Sequence, residues 1–323
     1  MQGCVHPAAR RERLYGARDY VTGDRFELAR CRDCGLVLTE PAPAAEAAAR
    51  YYPAGYHGAG ASRRFPGVAE WLQAAVWRRR AAAVERWVGG RGRVLDVGCG
   101  PGWVLGRFRE RGWEVQGTEG SEEAARHARE RLRLPVVVAG AGAAWPWPDR
   151  HFDAVILWHV LEHLPDPEGT LREVARVLRP GGVLLVGVPN FGSPEARLAA
   201  DRWFHLDVPR HRVHFTRSVL RRALASAGFM VRRVSFFSPE YDAFSFTQSA
   251  LNRLGLRQNL LYNRLRGAGA KVLGEAGGRG RLAQEILSLA LAVPLGLLSL
   301  GWTLVAGLTG QGATLTLWAV REG

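Results

Sequence analysis

Lysine is almost missing from this 323-residue chain. Lys271 is the single one, so a formal net charge of +14 and a pI near 10.7 rest on arginine. Clusters at Arg10–Arg11, Arg63–Arg64, Arg78–Arg80, Arg210 with Arg212, Arg221–Arg222 and Arg232–Arg233 predict a cationic surface. Such a surface suits anionic headgroups, nucleic acid or acidic substrates, although any one cluster can equally be an ordinary solvated face. Cysteine is scarce too. Cys4, Cys31, Cys34 and Cys99 are too few for a disulfide framework, which excludes the small stapled secreted domains. The opening residues, MQGCVHPAARRERLYG, hold no apolar leader core, so a reducing cytoplasm is the expected compartment. Long low-complexity tracts are absent and 47% of residues are hydrophobic, enough for one large domain with appendages or two modest ones.

Residues 1–40 end in ARCRDCGLVLTEPAP, where C-x-x-C-G-L spells a metal knuckle: two thiolates two residues apart, then a glycine for the tight turn. A second pair is incomplete, since Cys4 is followed by His6 and Pro7. Either Cys4, His6, Cys31 and Cys34 surround a zinc ion, or the knuckle is degenerate and holds no metal. Residues 41–66 read as a connector. From 67 onward short apolar strands alternate with helices of 10–15 residues, the pattern of an open, mostly parallel sheet covered on both faces. One helix is expected over DPEGTLREVARVLRPGG, stopped by Pro180 and Gly181.

Ligands in such sheets bind beyond the carboxyl ends of the strands. At the end of the first strand stands LDVGCGPGW, with Asp96 followed by Gly98, Gly100 and Gly102, glycines that let backbone approach a ligand closely. Glu119 ends the second strand, where a carboxylate accepts two hydrogen bonds from a ribose diol.

These residues resemble the class I S-adenosylmethionine-dependent methyltransferases. The resemblance is unusually close to a bacterial branch that combines C-x-x-C-G-L, the glycine loop, WHVLEHLPDP, LRPGG, VPN and PRHxxHF. The resemblance covers about 67–238 and the last strand. It implies a Rossmann-like seven-stranded α/β sheet, its last strand antiparallel, with a methyltransferase domain over 67–239 completed by 313–323. It also implies that Asp96, Gly98, Gly100 and Gly102 carry the methionine end of S-adenosylmethionine and Glu119 its ribose. The position that usually presents an acid to adenine is Ala141, so backbone amides or packing on Trp145 are expected there.

His159-Val-Leu-Glu162-His163 also fits the H-x-x-E-H pattern of inverted zinc peptidases, which needs both histidines on one helix face. Here the motif follows a strand and precedes Pro165 and Pro167, so the peptidase reading fails for lack of its helix. Related enzymes use E-x-x-E-H to hold a divalent ion. Glu162 and His163 match that pattern, His159 replaces its first acid, and His211 or His214 is the further ligand. The alternative is that these side chains only shape the loop. For a hydroxyl acceptor, His163 and His211 are the candidate bases with Glu162 beside them, and His159 forms pocket wall.

Between the last two strands lie residues 240–312, a helical insertion in which Ile286 to Leu308 carry no charge, about 34 Å as a helix. A single crossing would strand the last strand on the wrong side of a bilayer. A re-entrant or surface-lying segment, bent at Pro294 and Gly296, is therefore expected, beside Arg253, Arg257, Arg264, Arg266, Arg279 and Arg281. The other possibility is a soluble apolar lid. The combined expectation is a methyltransferase at the inner membrane face acting on a small, lipid-linked or glycan-precursor acceptor, by O-methylation. An RNA methyltransferase would suit the charge and the knuckle, but the N/D-P-P-Y/F base-methylating motif is absent. A non-catalytic cofactor-binding scaffold is the rival of another class.

Overall fold

The computed structural model describes Cys4 and residues 6–44, 47, 49–52, 67–139, 144–265 and 279–323. Ala141 and Arg266 lie outside these residues. A seven-stranded sheet is built from β4 (Arg93–Val97), β5 (Glu114–Glu119), β6 (Val136–Val138), β7 (Phe152–Trp158), β8 (Leu178–Pro189), β10 (Phe229–Ser235) and β11 (Thr314–Arg321). Their order is β10-β11-β8-β7-β4-β5-β6. The five strands from β6 to β8 pair parallel, and β11 runs antiparallel to both neighbours. The C-terminal strand thus lies inside the sheet.

Helices cover the sheet, four of them with a side-chain cap at the first turn. These helices are α1 (Val68–Val88), α2 (Trp103–Glu110), α3 (Glu122–Leu132), α4 (Pro167–Val177), α5 (Pro194–Ala199) and α6 (Arg217–Ser226). Ser121, Asp166, Ser193 and Thr216 each accept a backbone N–H in the first turn of the helix that follows. Strand alternation then sorts the core. Val155 and Leu157 of β7 pack with Leu171 and Val174 of α4, while Ala154 and Ile156 pack with Trp77 and Ala81 of α1. Helix α4 stops at Val177, short of the expected LRPGG. Leu178 already pairs with Phe152, and a residue before proline avoids helical geometry, so Arg179 and Pro180 extend β8.

A second sheet of order β1-β2-β3-β9 joins β1 (Arg11–Arg18), β2 (Arg25–Cys31) and β3 (Val37–Glu40) to β9 (Val213–His214). Pairing of Val37 with His214 sews the N-terminal segment to the loop after β8. Arg210 deepens this joint. It is buried, 2.8 Å from Asp19 and from Asp207, and it donates to the Tyr51 carbonyl at 2.6 Å. Arg210 and Arg80 were among the expected surface cations; both are buried, Arg80 against Glu240 and over the Trp158 ring.

The insertion forms α7 (Pro239–Arg253), α8 (Leu260–Leu265) and α9 (Arg279–Leu308). Pro294, where a kink or a break was expected, lies inside α9, and the helix is not broken there. Proline removes one hydrogen bond and crowds the preceding turn, and this helix carries on through it. Gly310, at φ +71°, closes α9, with Gln311 N–H donating back to the Ala306 carbonyl. Three residues later β11 begins, so α9 returns its chain to the sheet it left.

Candidate active site

The carboxyl ends of β4, β5 and β7 open into a cavity of about 1010 Å³. Its floor is the glycine loop. Gly98, Gly100 and Gly102 all have positive φ (+65°, +54° and +90°). A Cβ on Gly98 would sit 2.6 Å from Val160 and one on Gly102 2.4 Å from Leu134, whereas one on Gly100 meets nothing within 4 Å. Two glycines are therefore fixed by packing, and the third faces open space, a cradle that a bound group can fill. Glu119 accepts from the Gly100 and Ser121 amides at 2.8 Å each, which holds its carboxylate at the rim of the loop. Asp96 is buried beside it, and burial, followed by the charge of Glu119, pushes the Asp96 carboxyl well above the usual range. Ala139 and Trp145 line the cavity.

The opposite wall comes from the H-x-x-E-H loop. His159 follows β7 with φ +53°, and Leu161–His163 form one 3-10 turn, so the two histidines never share an α-helix face. This strained residue at the cavity edge has the left-handed backbone that functional sites often store. His159 and His163 line the cavity, while Glu162 and His211 are buried close behind. His159 Nδ1 donates to Glu162 Oε1 at 3.2 Å, and His211 Nε2 lies 3.9 Å from the same oxygen. His163 Nδ1 donates to the Arg210 carbonyl (3.1 Å) and His211 Nδ1 to the His205 carbonyl (2.8 Å). In both rings Nε2 is then the lone-pair atom of the neutral form. Burial lowers His163 and takes His211 down to about 3, and it raises Glu162. Glu162, His163 and His211 each place a ligand atom within 4.8 Å of the others. His214 does not join them; it pairs with the Thr39 hydroxyl at 2.9 Å.

At the N-terminus, Cys4, His6, Cys31 and Cys34 converge. Cys4 Sγ lies 3.3 Å from His6 Nδ1 and 3.6 Å from Cys31 Sγ, and Cys34 Sγ lies 3.3 Å from His6 Nδ1. Bonds of roughly 2.0–2.3 Å around tetrahedral zinc require edges of this size, so the four residues fit such an ion in a closed, structural set. Burial pushes the Cys31 thiol up, but hydrogen bonds from His6 and the Cys34 and Asp33 amides outweigh it and bring the thiol to about 6.

The cavity also has an aromatic wall. Trp71 and Trp77 of α1, with Tyr241 of α7 and Tyr262 of α8, line the same cavity. The Tyr241 ring packs 4.7 Å from His159. The insertion therefore supplies part of the pocket, and no local motif announced it.

A doubly covered, mostly parallel sheet with a glycine loop and an acid at its carboxyl edge is the architecture of a nucleoside-cofactor domain. A family model described as a methyltransferase domain matches residues 68–234. The chain belongs to that family, the class I S-adenosylmethionine-dependent methyltransferases. A probable S-adenosylmethionine-dependent methyltransferase of Mycolicibacterium smegmatis is 35% identical over 131 residues, 40% of this chain and 50% of the relative. A ubiquinone biosynthesis O-methyltransferase of Alkalilimnicola ehrlichii is 36% identical over 113 residues, 33% of this chain and 45% of the relative. The chain spans about half the length of these relatives. Among solved structures, a SAM-dependent methyltransferase from Archaeoglobus fulgidus matches with a TM-score of 0.47 at 19% identity, covering 77% of this chain and 94% of that one.

Proposed function

We propose that the chain is a methyltransferase that O-methylates a small, lipid-linked acceptor. The observation that carries this reading is one cavity joining the glycine cradle and Glu119 to a wall of His159, His163, Tyr241 and Trp77. When bound, S-adenosylmethionine supplies a sulfonium-activated methyl group, so the chain has chiefly to align the acceptor oxygen and take up its proton. Glu119 fits the ribose diol, and the amides around Gly100 fit the methionine end. Tyr241, Trp77 and Trp71 give the acceptor an aromatic, largely apolar bed, which favours an amphipathic molecule over a nucleic acid strand. His163 is the proton acceptor in this reading: it lines the cavity, burial keeps it neutral, and its Nδ1 is committed to the Arg210 carbonyl. Glu162 and His211 hold the group behind it. The ubiquinone biosynthesis O-methyltransferases among the similar proteins support a small-molecule acceptor.

A second reading of the wall rests on one geometric fact. Glu162, His163 and His211 bring acceptor atoms together, as a divalent cation requires. Activity abolished by a chelator and restored by magnesium or manganese favours the ion; activity indifferent to chelator favours His163 as base.

The test of the main reading is transfer of labelled methyl from S-adenosylmethionine into a chloroform–methanol extract of membranes, with lipid profiles of deletion and wild-type cells compared for a one-methylene mass shift. Label in the organic phase supports the proposal. Label recovered only in RNA or only in water-soluble products overturns the lipid-linked acceptor.

A further inference from the structure

Helix α9 is built inside out. Its fully buried positions are small or hydroxylated, Ser288, Ser299, Thr303 and Ala306, with Leu291, Ala292 and Leu295 half-buried on the same face. The helix it meets, α7, packs Leu251 and Phe244 in one cluster with Leu291, Ala292 and Leu295 of α9, while its buried Ser245, Ser249 and Asn252 bond to Glu195, Arg202 and Asn259 instead. Most of the large aliphatics stand outside. Leu282, Ile286, Leu289, Val293, Leu297, Leu300, Leu304 and Leu308 recur every three or four residues and are 45–80% exposed. Water-facing helices put leucine inward and polar groups outward. Small residues at the helix–helix contact with leucine facing away is the arrangement of helices whose solvent is lipid.

Charge settles which apolar surroundings fit. The turn from α7 to α8 exposes Arg253, Leu254 and Arg257, and the Arg257 N–H donates to Gln284 Oε1 of α9, which places these cations beside the start of the leucine row. Among the described residues α9 carries one carboxylate, Glu285, and it is turned to Arg264 at 3.8 Å. A leucine stripe bordered by arginine without exposed acid complements an anionic bilayer face: acyl chains for the stripe, phosphates for the guanidiniums. It does not complement a second copy of itself, whose rim would bring the same cations.

We propose that α9 lies in the plane of an anionic lipid surface, its leucine row immersed to acyl depth and Arg253 and Arg257 on the headgroups, docking the enzyme as a monotopic protein. The helix cannot cross, because β11 follows it directly into the sheet between β10 and β8. Docking also positions the pocket. Phe244 of α7 packs in the cluster that includes Leu291 and Leu295 of α9, and its ring lies 6.1 Å from Tyr262, which lines the cavity. One layer of side chains thus separates the lipid-facing helix from the cavity wall. The inference gives the lipid-linked acceptor its route but is read without any acceptor.

The experiment is flotation of the full chain with vesicles of phosphatidylcholine alone and of phosphatidylcholine mixed with phosphatidylglycerol. The chain floats with the anionic vesicles and stays with them in high salt, because the stripe, once immersed, is not screened. Val293→Asp/Leu297→Asp/Leu300→Asp changes only exposed positions (68%, 69% and 61%) and lowers partitioning at least tenfold. Calorimetric binding of S-adenosylmethionine by the same variant stays within twofold, which shows that it is folded. Arg253→Glu/Arg257→Glu weakens flotation on anionic vesicles at low salt. A wild-type chain that fails to float overturns the proposal, as does a triple variant that floats as well as wild type. A detergent-free dimer that the triple variant dissociates overturns it too, since the stripe would then be covered by a second copy. Equal flotation on neutral vesicles overturns the role of the arginines. A chain that floats but labels no lipid leaves docking standing and removes the lipid-linked acceptor; a chain that labels lipid without floating does the reverse.

Discussion

Glu162 Oε1 lies 3.2 Å from His159 Nδ1 and 3.9 Å from His211 Nε2, so one buried carboxylate serves two rings on the cavity's protein side. The third ring, His163, packs perpendicular to His211 with centroids 4.6 Å apart. Removing the Glu162 charge while keeping its shape should disturb all three. Glu162→Gln is expected to lower kcat at least about a hundredfold, the range of general acid–base contributions, while binding of S-adenosylmethionine changes little. Steady-state kinetics with calorimetry check this; an unchanged kcat would mean that the carboxylate only shapes the loop.

The N-terminal cluster predicts about one zinc per chain by atomic emission. Cys34→Ser should remove the metal and lower the melting temperature, and a strong chelator should do the same to wild type. A metal-free wild-type chain whose melting ignores chelators would return Cys4, His6, Cys31 and Cys34 to a degenerate knuckle.

Burial holds His205 and His214 at about 3 in the folded chain, against 6.5 when exposed. The unfolded chain takes up protons first as pH falls below about 6.5, so their contribution is fully present above that pH and is lost toward pH 3. His214→Gln, which can keep a bond to Thr39, should therefore gain on wild type in melting temperature as pH drops from 6.5 to 4. Asp242 behaves oppositely. Burial raises it to about 8, so its cost grows as pH climbs from about 4 to 8, and Asp242→Asn should gain on wild type over that range. Differences in melting temperature that do not vary with pH would contradict both assignments.

Arg210 and Asp19 are fully buried partners, and breaking such a pair from one side leaves an uncompensated charge. Arg210→Ala is expected to cost about 3–5 kcal/mol in urea unfolding. A loss near that of an exposed pair, under about 1 kcal/mol, would mean that the N-terminal sheet is not held through this residue.

Legibility in the sequence followed local spacing. The positions of the glycine loop and Glu119 were readable because each lies at a strand end that the local apolar pattern marks. The failure of H-x-x-E-H as a peptidase motif was readable because Pro165 and Pro167 leave no room for its helix. Whether His211 or His214 turns toward Glu162 was not, since β9 and Thr39 decide it from the other end of the chain. Tyr241 and Tyr262 were invisible for the same reason: their partners are set by how the insertion packs. The apolar run from 286 to 308 was plain, but the polarity of its two faces emerged only once α7 was seen against it. Arg80 and Arg210 read as surface cations because composition reports charge and not burial.

The most direct measurement of the central claim is calorimetric titration of S-adenosylmethionine into wild type and Gly100→Arg. Gly100 has φ +54° and open space where a Cβ would stand, so an arginine there strains the loop and fills the cradle without displacing packed neighbours. Saturable one-to-one binding by wild type, and its loss in a variant that still melts cooperatively, is the predicted result. Equal binding by both, or none by wild type, would contradict the placement of the cofactor in this cavity.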